Sequence, residues 1–249
     1  MKIAIVTGAA GGIGAATCTA LSRSGYRVFG IDRAAIGADV ECEPLEFDIA
    51  LLSTPHGESF VQKLKPLVSG RVDVIVNNAA VQIVKPFEGL TVADWQESLQ
   101  VNLLAPFWLI QQLTPELRAA RGSVVNIASI HAEVTKAGFA AYSTSKGALV
   151  ALTRALALEL APDVRVNAIL PAATDTPMLR AGFAGNEDGF AALDACHPLG
   201  RIARPDEIAS LAVFLGSSQS GFLTGEAIRV DGGIGAVLHD PVAVPARVP

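Results

Sequence analysis

A glycine-rich turn between an apolar strand and a helix constrains the fold of this 249-residue chain more than any other feature. Residues 2–6 are apolar and mostly β-branched, and the turn at residues 7–14 leads into a helical run that ends near residue 24. Glycines let the backbone approach a pyrophosphate closely, and the helix N-terminus supplies free N–H groups. A flexible loop is the alternative interpretation, and the strand-turn-helix context favours a dinucleotide site.

The acid that ends the second predicted strand selects the dinucleotide. Asp32 follows the strand at 27–31 and comes 18 residues after Gly14, close to the spacing of about 20 residues for the acid that holds the ribose hydroxyls. A carboxylate there repels the additional phosphate of NADP. Arg33 favours NADP instead, because a neighbouring guanidinium could pair with that phosphate. We weigh Asp32 more heavily and predict NAD as the cofactor.

Strand-like and helix-like segments alternate along the whole chain. We predict strands at 2–7, 27–31, 45–49, 72–76, 123–128, 164–170 and 227–231. We predict helices at 12–24, 56–68, 91–118, 142–161 and 206–216. This alternation indicates an α/β fold, a single Rossmann-type doubly wound domain over residues 1–249 with a seven-stranded, mainly parallel sheet and helices on both faces.

Two segments depart from the alternation. Residues 176–204 are rich in Ala, Gly and Phe with weak periodicity, and we predict a mobile lid over the cleft. Residues 234–249 contain three prolines, and we predict a C-terminal tail with no regular element.

Composition limits the partners. The net charge of -5 and the pI near 5.4 argue against nucleic acid, and no apolar run reaches the 18 or so residues that cross a membrane. The mean hydropathy of +0.42 therefore suggests apolar surface buried between subunits. Cys18, Cys42 and Cys196 have neither metal-ligand nor disulfide spacing, so we expect mostly buried, reduced thiols in a cytoplasmic protein without a bound metal.

Tyr142 and Lys146 are the candidate catalytic pair. They are four residues apart at the start of a helical stretch and therefore share one helix face. An ammonium beside a phenol lowers the phenol pKa from about 10, which makes the tyrosine a usable acid or base. Such spacing is common by chance on protein surfaces, and the glycine-rich turn at the other end of the domain gives it weight.

Together these features resemble the short-chain dehydrogenase/reductase family over nearly the whole chain. The turn at 7–14, the Asn-Asn-Ala-Ala segment at 77–80, residues 171–176 and the Asp-Gly-Gly ending at 231–233 are similar to the family's motifs, in the family's order. Gly is usual in the family where Ala80 and Ala172 stand here. The resemblance implies a catalytic set of Asn102, Ser129, Tyr142 and Lys146. It implies that the cofactor contacts Gly8, Gly12, Ile13, Gly14, Asp32, Asp48, Ile49, Asn78, Ala79, Tyr142, Lys146, Pro171, Thr174 and Thr176.

The resemblance also implies the chemistry, which is hydride transfer between NAD(H) and a secondary alcohol or ketone. Tyr142 is then the acid and base, Ser129 orients the substrate oxygen, and Lys146 holds the nicotinamide ribose and lowers the Tyr142 pKa. Asn102 is expected to anchor a water that leads protons to solvent. Each assignment has a purely structural alternative. Ser129, Asp48 and Thr176 could cap or form turns, Lys146 could be an exposed helix lysine, and Asn102 could only distort its helix.

The substrate is less constrained. We expect the pocket to include Gln82, His131, Phe139, Ala173 and Met178, with Glu133, Leu179 and Phe183 as further candidates. Gln82 and His131 resemble a pair that holds a carboxylate in the 3-hydroxybutyrate dehydrogenase branch. The lysine of that branch is replaced here by Phe139, Lys136 lies six residues before Tyr142, and Glu133 disfavours an anion. His131 could equally be a loop residue bonded to backbone. A small hydroxy acid, a cyclic alcohol and a polyol all remain open.

Three other functions compete with this interpretation. One is another enzyme class on the same fold, an epimerase or dehydratase, which the glycine spacing and the chain length oppose. A second is an enoyl reductase, which normally spaces Tyr and Lys more widely. The third is a catalytically silent NAD-binding sensor or scaffold. By family resemblance, the helices at 91–118 and 142–161 pair across a two-fold axis, so we expect a homotetramer.

Overall fold

The computed structural model describes residues 1–238, which form one sheet of seven parallel strands. The strands are β1 Lys2–Thr7, β2 Tyr26–Asp32, β3 Glu43–Glu46, β4 Val74–Asn77, β5 Ser123–Ile127, β6 Arg165–Pro171 and β7 Ala227–Val230. Their order across the sheet is β3-β2-β1-β4-β5-β6-β7, and every neighbouring pair is parallel. The predicted doubly wound α/β fold is confirmed.

Helices cover both faces of this sheet, because each parallel crossover must return over one face or the other. They are α1 Gly12–Arg23, α2 Pro55–Val68, α3 Val92–Leu99, α4 Ala105–Gln112, α5 Thr114–Ala120, α6 Ala140–Leu160, α7 Pro177–Gly182, α8 Glu187–Cys196 and α9 Pro205–Gly216. Helices α1 and α9 pack with one face of the sheet, and α2, α4, α5 and α6 pack with the other. Two large apolar cores result, one on each side of the central strands, and a smaller third cluster lies between α6, β6 and the end of β5.

The single helix predicted over 91–118 is wrong. The segment is α3, a π-helical stretch at Gln100–Leu104, α4 and α5. Pro106 and Pro115 lie in the first turns of α4 and α5, where the missing N–H of proline costs least. The backbone stays helical from α3 through α4 and leaves helical geometry at Leu113, an apolar residue that gives the sequence pattern no sign of a break.

The third strand and the lid also differ from the prediction. Strand β3 lies at 43–46 instead of 45–49, because a 3₁₀ turn at Ile49–Leu51 begins directly after Asp48. The segment predicted as a weakly periodic lid, 176–204, contains the two short helices α7 and α8. Residues 234–236 form a 3₁₀ turn where no regular element was expected, and residues 239–249 of the predicted tail lie outside the described part of the chain.

The cysteines differ in exposure, which corrects the expectation that most are buried. Cys18 is buried, Cys42 is half-buried and Cys196 is exposed, and all three are free thiols. Within residues 1–238, no helix is long and apolar enough to cross a membrane, and no group of three or more acidic, His or Cys side chains is arranged to hold a metal ion.

Candidate active site

A cleft of about 630 Å³ runs along the carboxyl edge of the sheet. Residues just beyond the ends of β1, β2, β4, β5 and β6 line it, and it spans the point where the strand order reverses between β1 and β4. Ligands of doubly wound sheets bind at this position. The topology therefore brings the glycine-rich turn and the Tyr142 segment, which are far apart in sequence, to one cleft.

The turn after β1 exposes backbone atoms at Gly8, Gly11 and Gly12, and we call these residues the glycine cradle. Gly8 has a φ of +68°, and a Cβ added to it would lie 2.7 Å from the side-chain nitrogen of Asn78. A Cβ on Gly12 would lie 3.0 Å from the methyl carbon of Thr176. Gly11 caps the N-terminus of α1 without any side-chain hydrogen bond, which leaves the first N–H groups of the helix free. This geometry fits a pyrophosphate group.

Gly14 lies behind the cleft wall and allows α1 to pack closely against the glycine-rich turn. A methyl group at this position would overlap the carbonyl oxygen of Gly8, so α1 packs directly against the turn. Among the predicted cofactor residues, Gly14 therefore shapes the cradle without lining it.

Three charged side chains occupy the end of the cleft that is nearest β2 and β3. The carboxylate of Asp32 accepts hydrogen bonds from the backbone N–H groups of Ala10 (3.0 Å) and Ala34 (2.9 Å). Arg33 and Asp48 form a long ion pair at 3.9 Å. Asp32 therefore has a fixed orientation at the cleft wall, while the Arg33 charge is partly satisfied by Asp48.

Asn78 ties the end of β4 to the glycine-rich turn. Its side-chain nitrogen donates to the carbonyl oxygens of Thr7 and Gly8, both at 3.0 Å. The Thr7 hydroxyl accepts from the backbone N–H groups of Asn78 and Ala79. These bonds hold two strand ends at one fixed separation beneath the cleft.

Tyr142 and Lys146 lie in the first two turns of α6, as the sequence predicted for the start of a helix. Lys146 is only 2% exposed, which excludes the exposed-lysine alternative. Its ammonium donates to the carbonyl of Ile127 at 2.8 Å and lies 5.9 Å from the centre of the Tyr142 ring. Burial lowers the pKa of Lys146 to about 7.

The Tyr142 pKa corrects the expectation from the sequence. Burial raises the pKa of this phenol, and a hydrogen bond with the Ser129 hydroxyl acts in the opposite direction. The Lys146 ammonium is directed at a backbone carbonyl, so desolvation outweighs its attraction for a phenolate. The proximity of the pair is confirmed, and the expected lowering of the Tyr142 pKa by Lys146 is not observed.

Several predicted residues combine a structural cap with a position at the cleft. Ser129 accepts from the N–H of His131 and begins a 3₁₀ turn, Asp48 accepts from Ala50, and Thr176 accepts from Leu179 at the start of α7. All three also line the cleft. The structural alternatives are therefore correct as descriptions of local bonding, and they do not compete with a role in the site.

Asn102 lies in the π-helical stretch and is fully buried. Its side chain accepts from the N–H of Val81 and donates to the Val81 carbonyl and to the Ser145 hydroxyl, each at 2.9 Å. Ser145 in turn donates to the carbonyl of Tyr142. Asn102 thus connects the loop after β4 to the first turns of α6 and lies behind the cleft wall.

An aromatic group forms the other end of the cleft. His131 stacks on Phe139 with the ring centres 4.3 Å apart, and both rings meet Tyr142 edge-on. The Nδ1 atom of His131 lies 2.8 Å from the Thr135 hydroxyl. Burial, with a further contribution from the charge of Lys136, lowers the pKa of His131 to about 4, so the ring is neutral at pH 7.

The structure brings most of the predicted site residues together. Those that line the cleft are Gly8, Gly12, Ile13, Asp32, Asp48, Ile49, Asn78, Ala79, Gln82, Ser129, His131, Phe139, Tyr142, Lys146, Pro171, Ala173, Thr174, Thr176 and Met178. Glu133 instead forms an ion pair with Arg229 at 3.0 Å. Ala80 and Ala172 also line the cleft, and neither has a positive φ, so the backbone accepts alanine at both.

Some lining residues were not expected from the sequence. Asn186 and Leu193 come from the region of α8, a helix that the weak periodicity did not predict. Phe47 adjoins Asp48 and could have been inferred from it. Lys136, which lies six residues before Tyr142, also lines the cleft, and its ammonium is 5.0 Å from the centre of the Phe139 ring.

Comparison with known proteins agrees with this geometry. A family profile described as enoyl-(acyl carrier protein) reductase matches residues 8–235. D-threitol dehydrogenase of Mycolicibacterium smegmatis is 36% identical over 241 residues, covering 93% of this chain and 92% of the relative. The chain belongs to the short-chain dehydrogenase/reductase family. Members of this family bind a nicotinamide cofactor, and the glycine cradle and Asp32 fit one.

Solved structures extend the comparison within this family. Ligand-free aldohexose dehydrogenase of Thermoplasma acidophilum superposes with a TM-score of 0.90 at 30% identity, covering 98% of this chain and 97% of that one. A Beutenbergia cavernae protein described as a candidate NAD(P)-dependent gluconate 5-dehydrogenase, with NADP bound at low occupancy, has a TM-score of 0.85 at 34% identity. The match covers 95% of this chain and 97% of that one. The family relationship establishes an oxidoreductase fold with a nicotinamide site.

Proposed function

We propose that this short-chain dehydrogenase/reductase transfers a hydride between NAD(H) and a small secondary alcohol or its ketone. The observation that carries the proposal is the convergence of Ser129, Tyr142 and buried Lys146 on the cleft whose far end is the glycine cradle. Two of the similar proteins are named as a D-threitol dehydrogenase and an aldohexose dehydrogenase, and the third is described as a gluconate 5-dehydrogenase, which supports a substrate with a secondary hydroxyl group. Small hydroxy acids and cyclic alcohols are the other classes within this proposal.

Each protein group has a definite part in the proposed reaction. The chemistry that NAD would supply when bound is a nicotinamide acceptor for the carbinol hydrogen and its electron pair. In the reduction, the Tyr142 phenol, the form that its raised pKa favours, would donate its proton to the substrate oxygen, and in the oxidation the hydroxyl proton would return to the Tyr142 oxygen. The Ser129 hydroxyl, which bonds Tyr142, orients the substrate oxygen. Lys146 supplies a donor beside the ribose site, and Asn102 positions the first turns of α6.

Asp32 supports NAD over NADP. Its carboxylate is fixed at the cleft wall by two backbone donors, so an additional phosphate would meet a negative charge that cannot turn away. The nearby Arg33 is engaged with Asp48. The glycine cradle and this acid would hold the cofactor, with Asn78 and Thr176 along its length.

A panel assay tests the proposed function. NADH formation is measured on small 3-hydroxy acids, cyclic alcohols and polyols, with NADP as a cofactor control. The Tyr142→Phe variant should reduce kcat by about 10²–10⁴-fold, because it removes the proton acceptor. Tyr26→Phe is the matched control, since Tyr26 is the other of the chain's two tyrosines, donates to the Gly216 carbonyl and does not line the cleft.

The outcomes separate the competing functions. Turnover that is lost in Tyr142→Phe and kept in Tyr26→Phe supports the dehydrogenase. NAD binding without turnover on any class favours the silent sensor or scaffold. Reduction of an enoyl thioester would favour the activity named by the family profile, which the four-residue Tyr142–Lys146 spacing argues against.

We also propose that the protein assembles as a homotetramer in the cytoplasm. Leu158 of α6 is 83% exposed, and Phe222 before β7 is fully exposed, so apolar side chains are available for burial between subunits. The three free thiols fit a reducing compartment. Light scattering at micromolar concentration tests the assembly, and a monomer there would overturn it.

A further inference from the structure

Several charged side chains around the substrate end of the cleft are paired with each other. Lys85 bonds Asp94 at 2.7 Å, and Arg180 bonds Asp175 at 2.7 Å. Glu133, which in sequence appeared to oppose an anionic substrate, is neutralised by Arg229 of β7. Each of these charges has a partner that offsets it before any ligand arrives.

Lys136 differs from these side chains. It lines the cleft, and no carboxylate within residues 1–238 forms an ion pair with it. Its ammonium lies 5.0 Å from the centre of the Phe139 ring, and that centre lies 6.2 Å from the centre of the Tyr142 ring. The positive charge therefore lies at most about 11 Å from the centre of the Tyr142 ring, a separation that a small substrate can span.

The loop that carries Lys136 is anchored on both sides. The carbonyl of Gly138 accepts from the N–H of Lys85, and the N–H of Val134 donates to the Ile130 carbonyl, both at 3.0 Å. Phe139 is 9% exposed and stacks on His131. These contacts hold the base of the lysine side chain at the cleft and give its ammonium an aromatic face to rest on.

The surroundings of the ammonium suit a singly charged group. His131 is neutral at pH 7, so it adds no second positive charge. The cleft lining also includes the apolar side chains of Val81, Val84, Met178 and Phe183. One cation in an apolar setting matches one carboxylate better than a dianionic phosphate, whose second charge would have no partner.

We propose that Lys136 binds the carboxylate of the substrate and thereby selects a small hydroxy acid, or its keto acid, over neutral alcohols and polyols. The carboxylate would lie a few carbons from the carbinol carbon that faces Tyr142. This inference rests on the proposed function and narrows its three substrate classes to one.

Matched pairs of substrates test the selection. We would measure kcat and KM with NAD for 3-hydroxybutyrate and trans-4-hydroxycyclohexanecarboxylate, each beside its methyl ester. In Lys136→Gln, kcat/KM for the acid should fall about five- to tenfold, mainly through KM, while the ester changes less than about twofold. Lys136→Arg should retain the preference, and 0.5 M salt should weaken it, because dissolved ions screen the attraction between an exposed ammonium and a carboxylate.

The control variant is Lys63→Gln, an identical change on an exposed lysine of α2 that does not line the cleft. It should leave the acid and the ester unchanged. If the wild-type protein turns over both members of each pair equally, or if Lys136→Gln affects both equally, the inference is wrong and the proposed function stands.

A binding measurement that needs no turnover distinguishes a failure of the Lys136 inference from a failure of the proposed dehydrogenase function. In the presence of saturating NADH, cyclohexanecarboxylate and cyclohexanecarboxamide are titrated by the change in NADH fluorescence. If no alcohol is oxidised but the carboxylate alone binds and loses affinity in Lys136→Gln, the inference holds and the dehydrogenase proposal fails. If the carboxylate and the amide bind equally, or neither binds, carboxylate selection by Lys136 is refuted.

Discussion

The two ends of the cleft are built in different ways. The cofactor end is mostly backbone, with the glycine turn, the N-terminus of α1 and an acid held by two N–H groups. The substrate end is mostly side chains from separate segments, including the loop of Lys136 and the region of α7 and α8. A site that is made of close backbone contacts tolerates few amino-acid substitutions. A site that is lined by loop side chains can change its specificity through single substitutions. The first end therefore indicates the family, and the second decides the substrate.

The largest expected effect tests the rigidity of the cofactor end. Gly14→Ala should reduce the free energy of unfolding by about 3 kcal/mol and abolish tight NAD binding, because its methyl group overlaps the Gly8 carbonyl. Denaturant unfolding and calorimetric titration measure the two losses. Gly89→Ala is the control, since no atom lies within 4 Å of its added Cβ. Equal behaviour of the two variants would contradict a rigid cradle.

A second effect concerns Lys146, which lies where the two ends meet. Its folded pKa is about 7, against an ordinary value of 10.5, so the unfolded chain binds more protons between these pH values. The free energy of unfolding should therefore rise with pH across this window, by up to about 1.4 kcal/mol per pH unit. Below pH 7 the ammonium is charged in both states, and its burial is destabilising.

Lys146→Met isolates this contribution. Unfolding of both proteins is followed without added nucleotide at pH 6.5, 8 and 9.5. The variant should lose the rise that Lys146 causes and should be inactive in the panel assay. If the difference in unfolding free energy between the two proteins does not vary with pH, the depressed pKa of Lys146 is wrong.

A smaller effect is expected at Asp32. Asp32→Ala should weaken NAD about tenfold and improve NADP, because a fixed negative charge is removed beside the ribose site. Binding constants for both nucleotides give the ratio directly. Asp39→Ala changes an exposed acid in the following loop and should leave the ratio unaltered. An unaltered ratio in Asp32→Ala as well would remove the basis for choosing NAD.

The smallest expected effect is at Glu133, and it tests whether this carboxylate influences substrate selection at the substrate end of the cleft. Glu133→Gln should change kcat/KM for the preferred substrate by less than about twofold, because Arg229 already neutralises this carboxylate. The same assay on a hydroxy acid and its ester makes the comparison. A selective gain for the acid of more than about threefold would show that Glu133 acts on the substrate as a negative charge.

Particular residues show how far sequence reasoning reaches. The positions of Asp32, Tyr142 and Lys146 followed from local patterns, because a strand end and a helix start are set by nearby residues. Asn102 was named through family resemblance, but its bonds to Val81 and Ser145 join distant segments. The breaks in the 91–118 helix could have been suspected from Pro106 and Pro115, whereas α8 left no comparable signal.

The sequence by itself determined the parallel α/β fold, the cradle and the candidate proton donor, since these depend on glycine spacing, apolar alternation and helix register. Only the tertiary structure decided which charges face the substrate. It paired Glu133 with Arg229, which is 96 positions later, and left Lys136 at the cleft. It also reversed the expected shift of the Tyr142 pKa. Ion pairing and desolvation depend on which groups are in contact in the folded protein. Contacts between residues that are far apart in the chain do not follow from local sequence patterns.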